Sequence, residues 1–358
     1  MSRFYIRIIF IYAIFSPAMQ ILTYKSRIYS KYKAVVCFTW ITLITSFGGS
    51  VLLVAIMDNR LDGRTIGNYL LISVVDVFLW GYILVRGRCV SPRYWLYALS
   101  FSVPLIPHEL AGQLLLSSDR IIIKRLCGPE TAADYSLAYT VSTIASVLLS
   151  SLNQAWQPWM YDKIEEGDTE QIYKYSIPYT LAYAAGCIGI MLVGPEVVLI
   201  VGGKSYLESN YVIPPVCFGI MLQFVYTLYA NIEFYKKKTA WISAATLVAA
   251  VINVALNFIM IPIFGYMVAA YTTAIGFAVM VIFHYLVVRF RTDLVGIYDL
   301  KKILMIVGVV AVVAGLCLVL YRFTIIRYVI ITCYIIVLAC VFFKNRKVII
   351  SLLKRKKK

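Results

Sequence analysis

Several side chains in this sequence have types that hydrocarbon does not tolerate alone, yet they lie within or against long apolar runs. His108 and Glu109 stand between Pro107 and Gly112, with Gln113 just beyond and Asp119 and Arg120 further on. Asn153, Gln154 and Gln157 cluster in a later run, and Asp76 lies inside Ser73–Trp80. Asn253 and Asn257 are four apart, hence on one helix face, and Thr273 follows in the next run. Buried polar atoms in hydrocarbon must meet partners or water, so the helices that carry them face a protein interior or a wet cavity. An acid there can hold a cation or a proton, and a histidine can titrate near neutrality. Amides and indoles suit sugar hydroxyls and ring faces.

Each group also has a plainer reading. Asp119 and Arg120 can pair as an interfacial anchor at a helix end. His108 with Glu109 can form one buried hydrogen-bonded pair. Asn253 and Asn257 can make interhelical hydrogen bonds of roughly 0.6–2 kcal/mol. Trp159 suits an aromatic belt at the membrane surface, while Asn153, Gln154 and Gln157 leave both readings open. Glu233 is expected to pair locally with Lys236, Lys237 and Lys238, and His284 to pack against a neighbouring helix. No motif for making or breaking bonds is present: there is no H-E-x-x-H, G-x-S-x-G or P-loop, which argues against an enzyme.

The elements that must position these groups follow from composition. Of 358 residues, 61% are hydrophobic, and the mean hydropathy is +0.83. Apolar runs able to cross roughly 30 Å of hydrocarbon recur along the whole chain. The sequence predicts an all-α integral membrane protein of about 11 transmembrane helices. Their expected bounds are 4–22, 34–57, 66–86, 94–118, 131–160, 174–201, 211–233, 239–261, 264–288, 303–321 and 325–343. Pro104 and Pro107 should kink the fourth, and the acidic stretch 162–171 suits a short surface helix. A net charge of +17 would suit nucleic acid, but the basic residues sit in short knots between apolar runs, which argues against that partner.

Those knots set an orientation instead. One side collects 24 of the 34 Lys and Arg residues, including the tail from Lys344, and the other collects 10. The richer side is cytoplasmic by the positive-inside rule, so the C-terminus is inside and, with an odd helix count, Met1 is outside. The eight cysteines (37, 89, 127, 187, 217, 317, 333 and 340) show no C-x-x-C pair and lie mostly in apolar runs, as small apolar fillers. No cleavable signal is evident after the apolar segment Ile8–Phe15. The second and third helices resemble the eighth and ninth at an offset of 203 residues, with Tyr82 and Arg86 matching Tyr285 and Arg289. Duplicated bundles are common in transporters.

The ordered motifs Pro104-Leu-Ile-Pro-His108, Ser118-Asp119-Arg120 with three isoleucines, Gly128-x-x-x-Ala132-x-x-Tyr135-Ser136-x-Ala138-Tyr139 and Trp156-x-Pro158-Trp159 resemble the polysaccharide-biosynthesis flippases of the MATE-like superfamily. The resemblance implies a MATE-like two-lobe bundle with an incomplete N-terminal lobe. Residues 1–93 would form a partial lobe of three helices, residues 94–290 a six-helix C-terminal lobe, and residues 291–358 two extra helices and a basic cytoplasmic tail. In this alignment the family's first three helices, which carry arginines for the diphosphate in related flippases, would precede residue 1. The implied function is export of a polyprenyl-diphosphate-linked oligosaccharide across the bacterial cytoplasmic membrane by alternating access, with polysaccharide assembly machinery as a further partner.

For such a substrate the candidate ligands in this sequence are Arg120, Asp119, His108, Gln113, Asn153, Gln154 and Gln157, along one watered passage, with arginine favoured because its planar fork bonds two phosphate oxygens. The resemblance assigns Asn253, Asn257, Thr273 and Glu109 to a coupling Na+ or H+, and Asp76, well inside its span, is a further acid of the same kind. No other cofactor is implied. Rival readings are a MATE-type cation or drug antiporter, a non-transporting remnant, and a membrane polysaccharide polymerase, the last disfavoured by the short outer loops.

Overall fold

The computed structural model describes residues 3–29, 31–87 and 91–354. Arg88, Cys89 and the last four residues of the basic tail lie outside these. The chain divides into two compact units, Met1–Leu96 and Tyr97–Lys358. Every regular element among the described residues is helical.

The first unit consists mainly of α1 (Arg3–Arg27), α2 (Tyr32–Ile56) and α3 (Arg60–Gly87). Asn59 caps α3, its side chain accepting from the Leu61 amide at 3.1 Å. The α2–α3 hairpin closes on the pair Gly63 and Gly67, spaced four apart on one face of α3. A Cβ on Gly67 would lie 2.3 Å from Ser50 Cα, and one on Gly63 would lie 2.6 Å from the Leu53 carbonyl oxygen. Small residues let membrane helices approach until backbones touch, which supplies dispersion where lipid offers no hydrophobic drive. Both helices carry a stretch of π-helix at this level, Leu43–Gly48 and Ile66–Leu70.

Helix α4 (Pro92–Ser102) leads through one 3-10 turn, Val103–Leu105, into α5 (Ile106–Cys127). The prolines thus interrupt the expected fourth helix nine residues in, and the remainder runs nine residues past 118. Then come α6 (Pro129–Glu165), α7 (Thr169–Gly202), α8 (Ile213–Tyr235), α9 (Thr239–Phe264), α10 (Val268–Arg291), α11 (Leu300–Leu320) and α12 (Thr324–Lys354). The expected surface helix at 162–171 does not form. Helix α6 continues to Glu165 and α7 starts at Thr169, its first turn capped by the Asp168 carboxylate. At 37 residues α6 is roughly 55 Å long, so it outruns the hydrocarbon and its acidic end reaches water.

Helix α8 is the centre of the second unit, buried along nearly its whole length and packed against α10, α6, α11 and α7. Helices α9 and α10 pack on each other, and both pack on α5. Helix α12 is tied to α7: Arg327 pairs with Glu196, and the Tyr334 hydroxyl donates to the Ala185 carbonyl.

Among the described residues ten helices are long and apolar enough to cross a membrane, and the protein is an all-α integral membrane protein. The one expected span missing from these is the fourth: α5, which forms most of it, has the length at 22 residues but fails on composition. It carries Glu109, Asp119, Arg120, Lys124 and Arg125, and it is the helix on which most of the candidate site is built.

Candidate functional site

Asp119 is fully buried on α5, and three other helices close on it. From α9, the Asn257 amide donates to its Oδ1 at 2.7 Å. From α6 and α10, the hydroxyls of Tyr135 and Thr273 donate to its Oδ2 at 2.9 Å and 2.7 Å. A second layer joins the same side chains. Asn253 Oδ1 accepts from Ser118 and from Asn257 at 3.3 Å each, while its amide donates to Thr273 at 3.2 Å. Thr272 donates to Asn257 Oδ1. All seven residues are buried. Three donors converging on one carboxyl group describe a carboxylate anion, which accepts and never donates.

The helices deliver these groups by simple periodicity. Asn253 and Asn257 are one turn apart on α9, Tyr135 and Tyr139 one turn apart on α6, and Thr272 and Thr273 begin the second turn of α10. Asp119 and Arg120 are neighbours about 100° apart around α5, so they face different partners. Arg120 lies with its guanidinium 4.6 Å from the Tyr139 ring centre, and its buried Nε has no hydrogen-bond partner among the described residues. The expected Asp119–Arg120 pairing at a helix end therefore does not occur. Asp119 is an interior residue, and α5 runs on for two turns.

The oxygen set around Asp119 joins Asn253, Asn257 and Thr273, as the sequence grouped them, but the acid is Asp119 and not Glu109. Glu109 lies ten residues earlier, roughly 15 Å along the helix axis, and is exposed. Tyr135 and Ser118 stand in the motifs that carry the resemblance, but their sequence surroundings assign them no place at this site, and neither do those of Thr272: a tyrosine and hydroxyls within apolar runs acquire partners only when the helices are docked.

The remaining candidates fall in other places. His108 Nδ1 lies 2.6 Å from the Thr246 hydroxyl, so its partner is not Glu109. His108, Glu109 and Gln113 line a cavity of about 100 Å3 with Gln223, Tyr226 and Thr246; Arg120 and Asn153 are not among its lining residues. Asn153 accepts from Asn231 on α8 at 2.7 Å. Gln154 is exposed and donates to Ser150, and Gln157 donates to Tyr161. Asn153 is 18 residues beyond Tyr135, roughly 27 Å along α6, so it shares no hollow with Asp119 and Arg120. Trp159 packs in an aromatic group with Trp156 and Tyr175. In the first unit, Asp76 is buried, with neither carboxylate oxygen hydrogen-bonded among the described residues.

Two further expectations are corrected. Glu233 does not pair with the lysines that follow it. Lys236 reaches Asp293 at 2.6 Å and Lys237 lies over the Tyr97 ring, whereas Glu233 is bonded to His284. His284 is accordingly more than packing.

Residues 4–163 match the profile of a protein family described as "Polysaccharide biosynthesis protein". An uncharacterized membrane protein of Haemophilus influenzae is 22% identical over 259 residues, covering 68% of this chain and 63% of the relative. The "Probable low-salt glycan biosynthesis flippase Agl15" of Haloferax volcanii is 24% identical over 236 residues, covering 64% of this chain and 49% of the relative. An uncharacterized membrane protein of Methanocaldococcus jannaschii is 26% identical over 227 residues, covering 43% of its length. The chain thus spans between about two fifths and two thirds of the relatives it matches. No solved structure matches it.

Proposed function

We propose that this chain, a member of the polysaccharide-biosynthesis family, works as a flippase that carries a polyprenyl-diphosphate-linked oligosaccharide across a cytoplasmic membrane. The observation that carries this reading is the junction at Asp119. Four helices of one unit are joined by a single buried anion and neutral hydrogen-bonding groups, a costly arrangement in a membrane interior and one suited to a mobile cation. The oxygens of Asp119, Asn253, Asn257, Thr272, Thr273 and Ser118 are hard ligands with one net negative charge, which fits Na+ or H+ better than a divalent ion. Among the described residues no cluster of three or more His, Cys, Asp and Glu residues could hold a metal.

The Asn257 amide now donates to Asp119. Rotating that amide would turn its oxygen inward instead, so the same shell can accept a cation without moving a helix. Binding the cation would then exchange hydrogen bonds between α5, α6, α9 and α10 for ion contacts. That exchange gives the ion different affinities for two arrangements of these helices, which coupling requires. Arg120, with one donor free and its charge beside an aromatic face, is the headgroup contact, since a guanidinium can bridge diphosphate oxygens. The basic end of the chain faces the cytoplasm, where assembly machinery delivers the substrate.

Complementation tests this directly. Expressed in a strain that lacks its own oligosaccharide flippase, the chain should restore surface glycan, and Asp119→Asn should abolish it while the protein remains in the membrane. Export of fluorescent cationic dyes from vesicles, with no restoration of glycan, would replace this reading with a cation antiporter.

A further inference from the structure

Glu233 on α8 and His284 on α10 form a second ionisable site that the Asp119 cluster does not use. His284 Nδ1 lies 2.7 Å from Glu233 Oε1, and both side chains are fully buried. Their outer atoms, Glu233 Oε2 and His284 Nε2, are buried without a hydrogen-bond partner among the described residues. The Tyr226 ring stacks on the imidazole at 5.4 Å between centres.

The groups around the pair decide its charge. From α8 itself come Tyr226 and Tyr229, and from α10 comes Tyr285, which meets the Tyr229 ring. Helix α5 brings His108 and Glu109 to the cavity that Tyr226 also lines. Helix α6 brings Tyr161 against Tyr235, and α7 brings Tyr179 and Tyr183 against Phe224. Trp241 of α9 meets Phe283, and Tyr298 meets Tyr229. Lys236 is held by Asp293, Lys237 lies over Tyr97, and Arg289 donates to Tyr285. No charged side chain among the described residues bonds to either partner except the other.

A carboxylate beside a neutral imidazole would bury a net negative charge with nothing to offset it, at several kcal/mol. One added proton makes the pair neutral overall, and a 2.7 Å separation suits an imidazolium donating to a carboxylate. The two orphaned atoms mark where such a proton, or a water carrying it, enters and leaves. Glu233 is two residues from the end of α8, beside the lysine-rich turn, yet sealed from solvent. On its other side, one aromatic ring separates the imidazole from the cavity shared with Glu109.

We infer that Glu233 and His284 form a proton-binding site, occluded in this state, which takes up H+ as imidazolium and carboxylate and releases it when α8 and α10 part. Proton binding stands on the pair alone, whereas its coupling to glycan export rests on the flippase reading.

The chain has two histidines, His108 and His284, so imidazole nitrogens can be observed one at a time. Purified protein labelled with 15N-histidine, placed in lipid nanodiscs, is examined by NMR between pH 5 and pH 9, with His108→Gln assigning the signals. At about pH 7 the His284 ring should be doubly protonated in the wild type and neutral in Glu233→Gln, with Glu233→Asp keeping the charged form. A neutral His284 ring throughout this range in the wild type would overturn the inference. So would a charged ring that Glu233→Gln leaves unchanged. Vesicles loaded with a fluorescent polyprenyl-diphosphate glycan separate the two ideas. If the ring behaves as expected but neither a pH gradient nor a Na+ gradient drives flipping, the proton site stands and the flippase reading fails.

Discussion

Asp76 and Asp119 are both buried aspartates in membrane helices, and their surroundings are opposites. Asp119 receives three hydrogen bonds from three different helices. Asp76 receives none among the described residues, and the nearby Ser73 hydroxyl is committed to the Tyr69 carbonyl. The second unit has therefore built a shell that solvates an anion without water. The first unit has buried a carboxyl group that needs a proton, a water or a cation to be stable there. A buried acid alone does not define a function; the number of donors aimed at it separates a structural anion from a vacant charge.

The sharpest way to break this contrast is to remove each acid in turn. Asp119→Ala leaves the Asn257 amide and the Tyr135 and Thr273 hydroxyls facing nothing. At about 1–3 kcal/mol for each stranded group, partly relieved by hydroxyl rotation, the expected loss is about 3–5 kcal/mol. A large fall in melting temperature of the detergent-solubilised protein checks it. A change within error would mean that these donors have other partners.

Backbone packing gives the next largest effect and extends the comparison to the two hairpins. At the 203-residue offset, Asn253 of the Asp119 shell falls on Ser50, the residue whose backbone abuts Gly67. Where the second unit places a polar side chain between helices, the first unit places backbone against backbone. Gly67→Ala should therefore cost about 1–3 kcal/mol, because a Cβ there meets main chain that cannot rotate away. Gly276→Ala in α10 should cost less than about 1 kcal/mol, since its nearest obstacle, at 3.0 Å, is the tip of Leu115. Equal losses in thermal melts would remove the distinction between the hairpins.

Much of this was legible in the sequence, and the failures have a common cause. Hydropathy located the spans, and the four-residue spacing of Asn253 and Asn257 identified a shared face that the structure turns toward Asp119. Asp119 itself was misread because Arg120, Lys124 and Arg125 made the segment look like a membrane boundary. Helical geometry instead separates Asp119 from the first of those charges by about 100°. Glu233 was misread for the same reason, since three adjacent lysines outweighed a histidine 51 residues away. Neighbours in sequence advertise themselves, whereas partners across helices become visible only once α5, α8, α9 and α10 are docked.

Asp76→Asn is expected to act in the opposite direction from Asp119→Ala and more weakly. It removes a charge that no protein group solvates and strands no donor. The melting temperature should stay level or rise, equivalent to about 1 kcal/mol at most. A clear destabilisation would show that the carboxylate has a partner after all, and the two aspartates would then be alike.

The smallest effect belongs to a third aspartate, Asp299, which lies at the water-facing start of α11 and serves as a control. The Tyr173 hydroxyl donates to its Oδ2 at 2.8 Å, and Lys302 Nζ lies 3.0 Å from the same atom. The tyrosine hydrogen bond foremost, and then Lys302, hold this carboxyl down at about 2, against an ordinary value of about 4. Since the folded value lies below the unfolded one, the contribution is complete above about pH 4 and disappears as pH falls through about 2. Tyr173→Phe should therefore lower the melting temperature slightly, by about 1 °C, near neutrality. That deficit should close between about pH 4 and pH 2. A deficit that persists unchanged at low pH would trace to a contact of the lost hydroxyl other than the carboxylate. Added choline chloride should weaken this interaction, because water already screens it, while leaving untouched the Asp119 shell, whose proposed ligands are Na+ and H+. The contrast between an acid whose contacts are sealed from water and one whose contacts water screens would then be measurable within a single molecule.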